Sequence, residues 1–353
     1  MPLRQDRMSV AERMQALLAG KPIDRIPFMP WLRGFCAKNV GYSLGEFYTD
    51  PEKSFWAQVW THEQYGCDND PQYGYAAIGA WEFGGEMKFP STDYEQAPAI
   101  ARFPVESEED AWKLELPDVK TAGIIPQYMQ FSKLQASRGM PVTISCQSPF
   151  YRASSLCGME RLCRWMIKKP EVVHHLLRLT TDFSIEMIQY WVDTFGAENI
   201  SPRSSDIGND IMSPKQFQEF ALPYLIEVHE KMLAIGLNHI QCHICGDHNL
   251  LLPYWKQVPM GDPGIVTFDH QVDLSTAVKY FGDSCIIAGN IQSPIIQHGT
   301  PQQVYEHCKE TIEKAKYAPW GYILMTECGF PPMAPPYNLY IMRKAVDDFG
   351  WYD

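Results

Sequence analysis

His239-Ile240-Gln241-Cys242-His243-Ile244-Cys245-Gly246 is a short apolar run closed by a glycine, and the reading of the whole chain turns on it. The run predicts a strand over 239–244. Alternate residues of a strand face the same way, so His243 and Cys245 aim an imidazole and a thiol at one point. Neutral imidazole nitrogen and thiolate sulfur are the ligands zinc prefers. A third soft ligand is offered by Cys328, which closes a second apolar run, Tyr322-Ile323-Leu324-Met325-Thr326-Glu327, and precedes Gly329-Phe330-Pro331-Pro332.

Working outward, further apolar runs recur at 141–146, 264–268 and 285–289, a strand is expected over Ile200–Ser204 ending near Asp206, and stretches with helical spacing lie at 157–168, 170–195, 214–235 and 301–317. A last helix is expected around 336–348, and Ser9-Val10-Ala11-Glu12 is a capping box that opens a helix over 9–19. Strands alternating with helices predict a parallel sheet. Residues 140 onward supply six strands. Ile26-Pro27-Phe28-Met29-Pro30-Trp31 makes an irregular first strand, and an eighth is expected within 60–92. The expected fold is α/β, a (β/α)8 TIM barrel with an elaborated N-terminal region. It forms a single domain over 1–353, in which the aromatic-, Gly- and Pro-rich segment 35–130 covers one end like a lid.

Barrel chemistry sits at the C-terminal ends of the strands. The residues expected there are Cys146 and Gln147, Asp206 and Asp210, His243 and Cys245, Asp269 and His270, Asn290, and Glu327 and Cys328. Cys285 begins its strand and is expected at the opposite end. A single Cys is most often a buried small hydrophobe; two ligands on one strand end and a third on the same rim favour a metal. Cys242, three residues from Cys245, points away if the run is a strand. No second C-x-x-C follows, which argues against a closed structural site, and three protein ligands leave a zinc position open. Such a zinc can hold a substrate thiol as thiolate, polarise an ether oxygen or activate water.

Composition narrows the partners. The 353 residues are 45% hydrophobic and 20% charged, with a net charge of −12 and no basic run, which argues against nucleic acid or an anionic membrane. No apolar stretch is long enough for a transmembrane helix. The polar opening Met1-Pro2-Leu3-Arg4-Gln5-Asp6-Arg7 lacks the apolar core of a signal peptide. Ten scattered cysteines suit a reducing cytoplasm.

Several blocks resemble the uroporphyrinogen decarboxylase superfamily. They are Asp206-Ile-Gly-Asn-Asp210-Ile-Met-Ser213-Pro214 with Leu222-Pro223-Tyr224, then His243-Ile-Cys245-Gly246, Gly289-Asn290-Ile291-Gln292-Ser293-Pro294, and the opening Ala11-Glu-Arg13 with Gly20-Lys-Pro-Ile-Asp24-Arg25-Ile-Pro27. Within it, His243-x-Cys245-Gly246 and Cys328-Gly329-x-Pro331-Pro332 are similar to the zinc-dependent corrinoid methyltransferases. The decarboxylases carry an Arg-Gln-Ala-Gly-Arg-Tyr-like stretch after the first strand for binding propionates. Trp31-Leu32-Arg33-Gly34-Phe35-Cys36 stands there instead, which argues against tetrapyrrole decarboxylation.

The resemblance implies Zn2+ held by His243, Cys245 and Cys328, and a corrinoid (cobalamin) carried by a separate protein. It implies a small-molecule methyl donor or acceptor whose heteroatom takes the open position, displacing a weak ligand such as Glu327. Asp206, Asp210 and Glu327 are the expected catalytic groups; Gln147, Asn290, Trp31 and Asp269 are expected to bind substrate. Aromatic content of 13%, with Trp31, Phe35, Tyr42, Trp56, Trp60, Tyr65, Tyr73, Tyr75 and Trp81 in the front half, suggests demethylation of a methoxylated aromatic. Methylation of a thiol of the coenzyme M type is the alternative. A non-catalytic corrinoid- or thiol-binding relative is the reading from a different class.

Overall fold

The computed structural model of the protein describes residues 4–208 and 210–352; Asn209, inside the Asp206–Asp210 block, lies outside them. Six strands, β3 (Val142–Gln147), β4 (Ile200–Ile207), β5 (Gln241–Cys245), β6 (Gly264–Phe268), β7 (Cys285–Ile291) and β8 (Tyr322–Thr326), form a parallel sheet in chain order. They follow a small antiparallel pair, β1 (Glu86–Lys88) and β2 (Ala99–Arg102). Each central strand is buried on both faces, as β6, β7 and β8 show along their whole length. That is why these runs read as continuously apolar rather than alternating.

The ring is completed by chain that forms no regular ladder. Met29 N–H donates to Leu324 O at 2.9 Å and Leu324 N–H to Pro27 O at 3.0 Å, so the expected first strand lies beside β8. Asp68 N–H donates to Phe28 O at 2.7 Å, and Thr143 Oγ1 donates to Pro71 O at 3.1 Å, which sets residues 67–75 between the first segment and β3. Proline supplies no N–H, and Pro27, Pro30 and Pro71 interrupt these two segments where a ladder would need donors. The fold is the expected (β/α)8 barrel, with six regular strands and two irregular ones.

The elaborated front half contains helices Gly34–Val40, Leu44–Thr49, Pro51–Tyr65, Glu108–Lys113 and Ile125–Ser137. The first helix of the chain runs Val10–Leu18, opened by the expected capping box, with Ser9 N–H on Glu12 Oε2 at 2.8 Å. Among the described residues no helix is long and apolar enough to cross a membrane.

Candidate metal centre

β5 carries Gln241, His243 and Cys245 toward the barrel axis, while Cys242 and Ile244 are wholly buried among the outer helices. Register places Ser205 of β4 and Thr267 of β6 beside His243. Cys328 follows β8 by two residues, in a turn held by Trp31: Trp31 N–H donates to Thr326 Oγ1 at 3.2 Å, and Phe330 N–H donates to Trp31 O at 2.8 Å. The result is a cluster in which the ligand atoms of His243, Cys245 and Cys328 all lie within 4.8 Å of one another. Cys242 is not part of it, and Cys285 begins β7, at the far end of the barrel.

The cluster is oriented for a cation. His243 Nδ1 lies 2.7 Å from Thr267 Oγ1, so with its proton on Nδ1 the ring presents a lone pair from Nε2. Nε2 is buried without a hydrogen-bond partner, and so is Asp269 Oδ1, 3.8 Å away. The other carboxylate oxygen, Asp269 Oδ2, accepts from Gly246 N–H at 2.7 Å and lies 3.7 Å from Cys245 Sγ. Gly246 takes φ 90°, a conformation that favours glycine, and this turn brings its N–H to the carboxylate. Two orphaned polar atoms facing two thiols in a buried site fit a bound metal.

The electrostatics agree. The hydrogen bond from Cys245, and beyond it His243, draw the Cys328 thiol down to about 3 against burial. That same bond, burial and Asp269 push the Cys245 thiol up. Burial disfavours charge on His243, but Cys328 and Asp269 outweigh it and raise its proton affinity. Burial pushes Asp269 up to about 6. Without a cation the cluster shares protons among its donors; a dication in their place satisfies all of them.

A cavity of about 320 Å³ opens from this cluster. Gln147, Asp206 and Trp31 line it, as expected. Gln147 donates to Tyr75 O at 3.3 Å and to Ala76 O, and its Oε1 is buried without a partner. Asp206 accepts from Ser148 Oγ at 2.6 Å. The edge of Trp31 meets the His243 ring at 5.2 Å between centroids.

Other expected site residues sit elsewhere. Asn290 donates its amide to Asp269 O at 3.1 Å and Val272 O at 3.0 Å, so it fixes the turn after β6 and does not face the cavity. Glu327 is occupied by Ser293 N–H at 2.7 Å and by His270 Nδ1, outside the three-ligand cluster. Asp210 is exposed. Of the nine aromatics, Trp31, Tyr73 and Tyr75 reach the cavity. Phe35 packs on Phe330 at 4.9 Å, and Trp56 stacks on Trp60 at 5.6 Å, with Trp60 44% exposed.

Sequence reasoning missed Thr267, Tyr151, Arg33 and Arg203. Thr267 carried a signal, a polar residue inside the apolar strand Gly264–Phe268.

A parallel barrel gathers at its C-terminal rim an imidazole and two thiols, the donor set that a soft metal prefers. The chain is a member of the uroporphyrinogen decarboxylase family, whose profile matches residues 9–349. It is 22% identical over 343 residues to the methylcobamide:CoM methyltransferase MtaA of Methanosarcina barkeri, covering 96% of this chain and 97% of that protein. A methylated-thiol–coenzyme M methyltransferase of Methanosarcina mazei is 28% identical over 215 residues, covering 59% of this chain and 53% of that one. The solved structure of a methyltransferase from Methanosarcina mazei superposes with a TM-score of 0.81 at 21% identity, covering 97% of this chain and 99% of that one.

Proposed function

We propose that this protein is a zinc-dependent methyltransferase that moves a methyl group between a small thiol and the cobalt of a corrinoid carried on a partner protein. The observation that carries the reading is the convergence of His243 Nε2, Cys245 Sγ and Cys328 Sγ within 4.8 Å at the cavity wall. Support comes from the full-length relatives, which are named for transfer between a methylcobamide and coenzyme M. The thiol reading is therefore favoured over demethylation of a methoxylated aromatic.

His243, Cys245 and Cys328 would hold the zinc, and two thiolates with one neutral imidazole leave one tetrahedral position for substrate. Zinc bound there supplies the chemistry that keeps a substrate sulfur deprotonated at neutral pH. The protein's own groups do the rest. Thr267 fixes the His243 tautomer. Asp269, held by Gly246 N–H, keeps Oδ1 free beside the cluster to take up a thiol proton. Tyr73, Tyr75 and Phe330 line the cavity and limit water.

The test is a pair of reactions followed by the visible spectrum of the corrinoid. Methylcobalamin should lose its methyl group in the presence of protein and a small thiol, and Cys245→Ala should abolish this. Transfer to cob(I)alamin from a methoxylated aromatic, with none to any thiol, would overturn the proposal.

A further inference from the structure

The end of the barrel away from the metal holds a second cavity, of about 680 Å³. Its walls include Pro141 ahead of β3, the start of β4 from Ile200 to Arg203, and Asn238 and His239 ahead of β5. Arg203 and Gln241 line this cavity and the metal cavity alike, so they form the layer between the two. Barrel chemistry uses the other end, which leaves this space without a part in methyl transfer. One side of it is apolar: Met14 and Leu18 of helix Val10–Leu18 pack with Met29 and Ile265.

The polar side carries acceptors that the fold does not use. Asp70 is half-buried and lines the cavity, and among the described residues its carboxylate makes no hydrogen bond or ion pair. Burial pushes it up to about 6, with Arg203 pulling against that, so it is mostly ionised at pH 7. Asn69 Oδ1, next along the chain, is buried without a partner. His62 of helix Pro51–Tyr65 is 7% exposed, and its Nδ1 is buried without a partner too. Burial lowers His62 to about 4, so the ring is neutral at pH 7 and Nδ1 can present a lone pair. Buried acceptors left without donors are costly.

Charge in the lining is unbalanced in the same sense. Glu63 and Glu198 add exposed carboxylates that make no ion pair among the described residues. Arg25 is spent on Asp6 and Asp68. Arg203 is the one cation of the lining left without an ion pair among the described residues, and its Nη1 donates to the Gln241 amide oxygen at 2.9 Å. Three carboxylates against one guanidinium leave the cavity short of positive charge.

We propose that this cavity binds a small primary ammonium ion with an apolar body, at a site separate from the metal centre. An ammonium group carries three N–H donors and no acceptor, which matches the Asp70 carboxylate, Asn69 Oδ1 and His62 Nδ1. The alkyl chain lies on the apolar side, against Met14, Leu18, Met29 and Ile265. Asp70 gains the partner that a carboxylate out of bulk water needs. The site owes nothing to the identity of the methyl donor or acceptor.

Calorimetry on the full-length, zinc-loaded protein tests this, with n-butylammonium, its neutral counterpart 1-butanol, and butyrate as probes. n-Butylammonium should bind at a single site per chain, at least about tenfold more tightly than 1-butanol, and butyrate more weakly than either. Asp70→Asn, which keeps the shape and removes the charge, should cut that preference to about threefold or less. Met14→Trp, which fills the apolar side, should weaken n-butylammonium and 1-butanol together. Both variants should hold zinc as tightly as the unaltered protein, which shows that they are folded. Cys245→Ala, which breaks the metal site, should bind n-butylammonium as before. If n-butylammonium gives no saturable heat, the cavity holds water only and the proposal fails. Binding no tighter than that of 1-butanol, a preference unchanged in Asp70→Asn, or loss of binding in Cys245→Ala overturns it as well.

Discussion

His243 has one job that depends on a residue of the neighbouring strand. Its Nδ1 meets Thr267 Oγ1 at 2.7 Å, and that contact decides which ring nitrogen is left to bind a metal. Removing such an outer partner typically weakens metal binding by ~10–100-fold. Thr267→Val, which keeps the shape and removes the oxygen, should therefore bind zinc more weakly by about that factor in competition with a chelator. An unchanged affinity would mean that the tautomer is set elsewhere. The three ligands themselves were legible, because strand alternation puts His243 and Cys245 on one face and β8 delivers Cys328 to the same rim. Glu327 was not legible in the same way. Its neighbour Cys328 faces the cluster, but the carboxylate turns to Ser293 and His270, and nothing in the local pattern says which of two adjacent residues after a strand end will turn inward.

The turn after β6 is the element that brings Asp269 to the site, and Asn290 on β7 is its clamp. The Asn290 amide donates to two carbonyls, Asp269 O and Val272 O. Asn290→Ala leaves both without that donor, and an unmet buried polar group costs ~1–3 kcal/mol. The variant should lose stability of that order in denaturant unfolding. Its substrate affinity should fall less than that of Asp269→Ala, because Asn290 acts by holding the turn. At this scale the six later strands were readable: five are short apolar runs, and β4, interrupted by Ser, Pro and Arg, stands between the helical stretches 170–195 and 214–235. The first was readable only as an irregular run over 26–31, and the second only as a place within 60–92. Pro27, Pro30 and Pro71 break their ladders, so they lack the pairing that makes a strand recognisable. Within 35–130, aromatic residues divide between cavity, core and surface, and composition alone does not separate them.

For the molecule as a whole, the two ends of the chain are joined under the barrel by ions. Arg13 contacts Asp6, Asp24 and Asp68; Arg25 contacts Asp6 and Asp68; and Arg343 of helix Pro336–Phe349 contacts Asp6. Asp68 is the hub, since it also accepts from Phe28 N–H at 2.7 Å and so helps seat the irregular first strand. Removing one member of a buried network strands the others, at ~3–5 kcal/mol. Asp68→Asn should be destabilised by that order, and a loss below about 1 kcal/mol in chemical unfolding would show that the network closes nothing.

Stability should also depend on pH through buried imidazoles. His229, wholly buried, joins helix Leu222–Ala234 to Ser204 Oγ at 3.0 Å and Pro259 O at 2.8 Å. Burial lowers it to about 4, so between roughly pH 6.5 and pH 4 the unfolded chain binds a proton that the folded one does not. The His229 contribution is thus complete above that window and is lost as pH falls through it, by ~1.4 kcal/mol per pH unit at most. Unfolding measured at pH 7 and pH 5 should show a smaller fall in His229→Gln than in the unaltered protein; an equal fall would assign the effect to other groups.

The central claim is that an imidazole and two thiolates hold one zinc with a position left for a thiol. Zinc-edge X-ray absorption on the purified protein tests it directly. One zinc per chain with two sulfur neighbours at ~2.3 Å, rising to three when 2-mercaptoethanesulfonate is added, is the expected result. A zinc with no sulfur neighbours, or a sulfur count that does not rise with the thiol, would contradict the account.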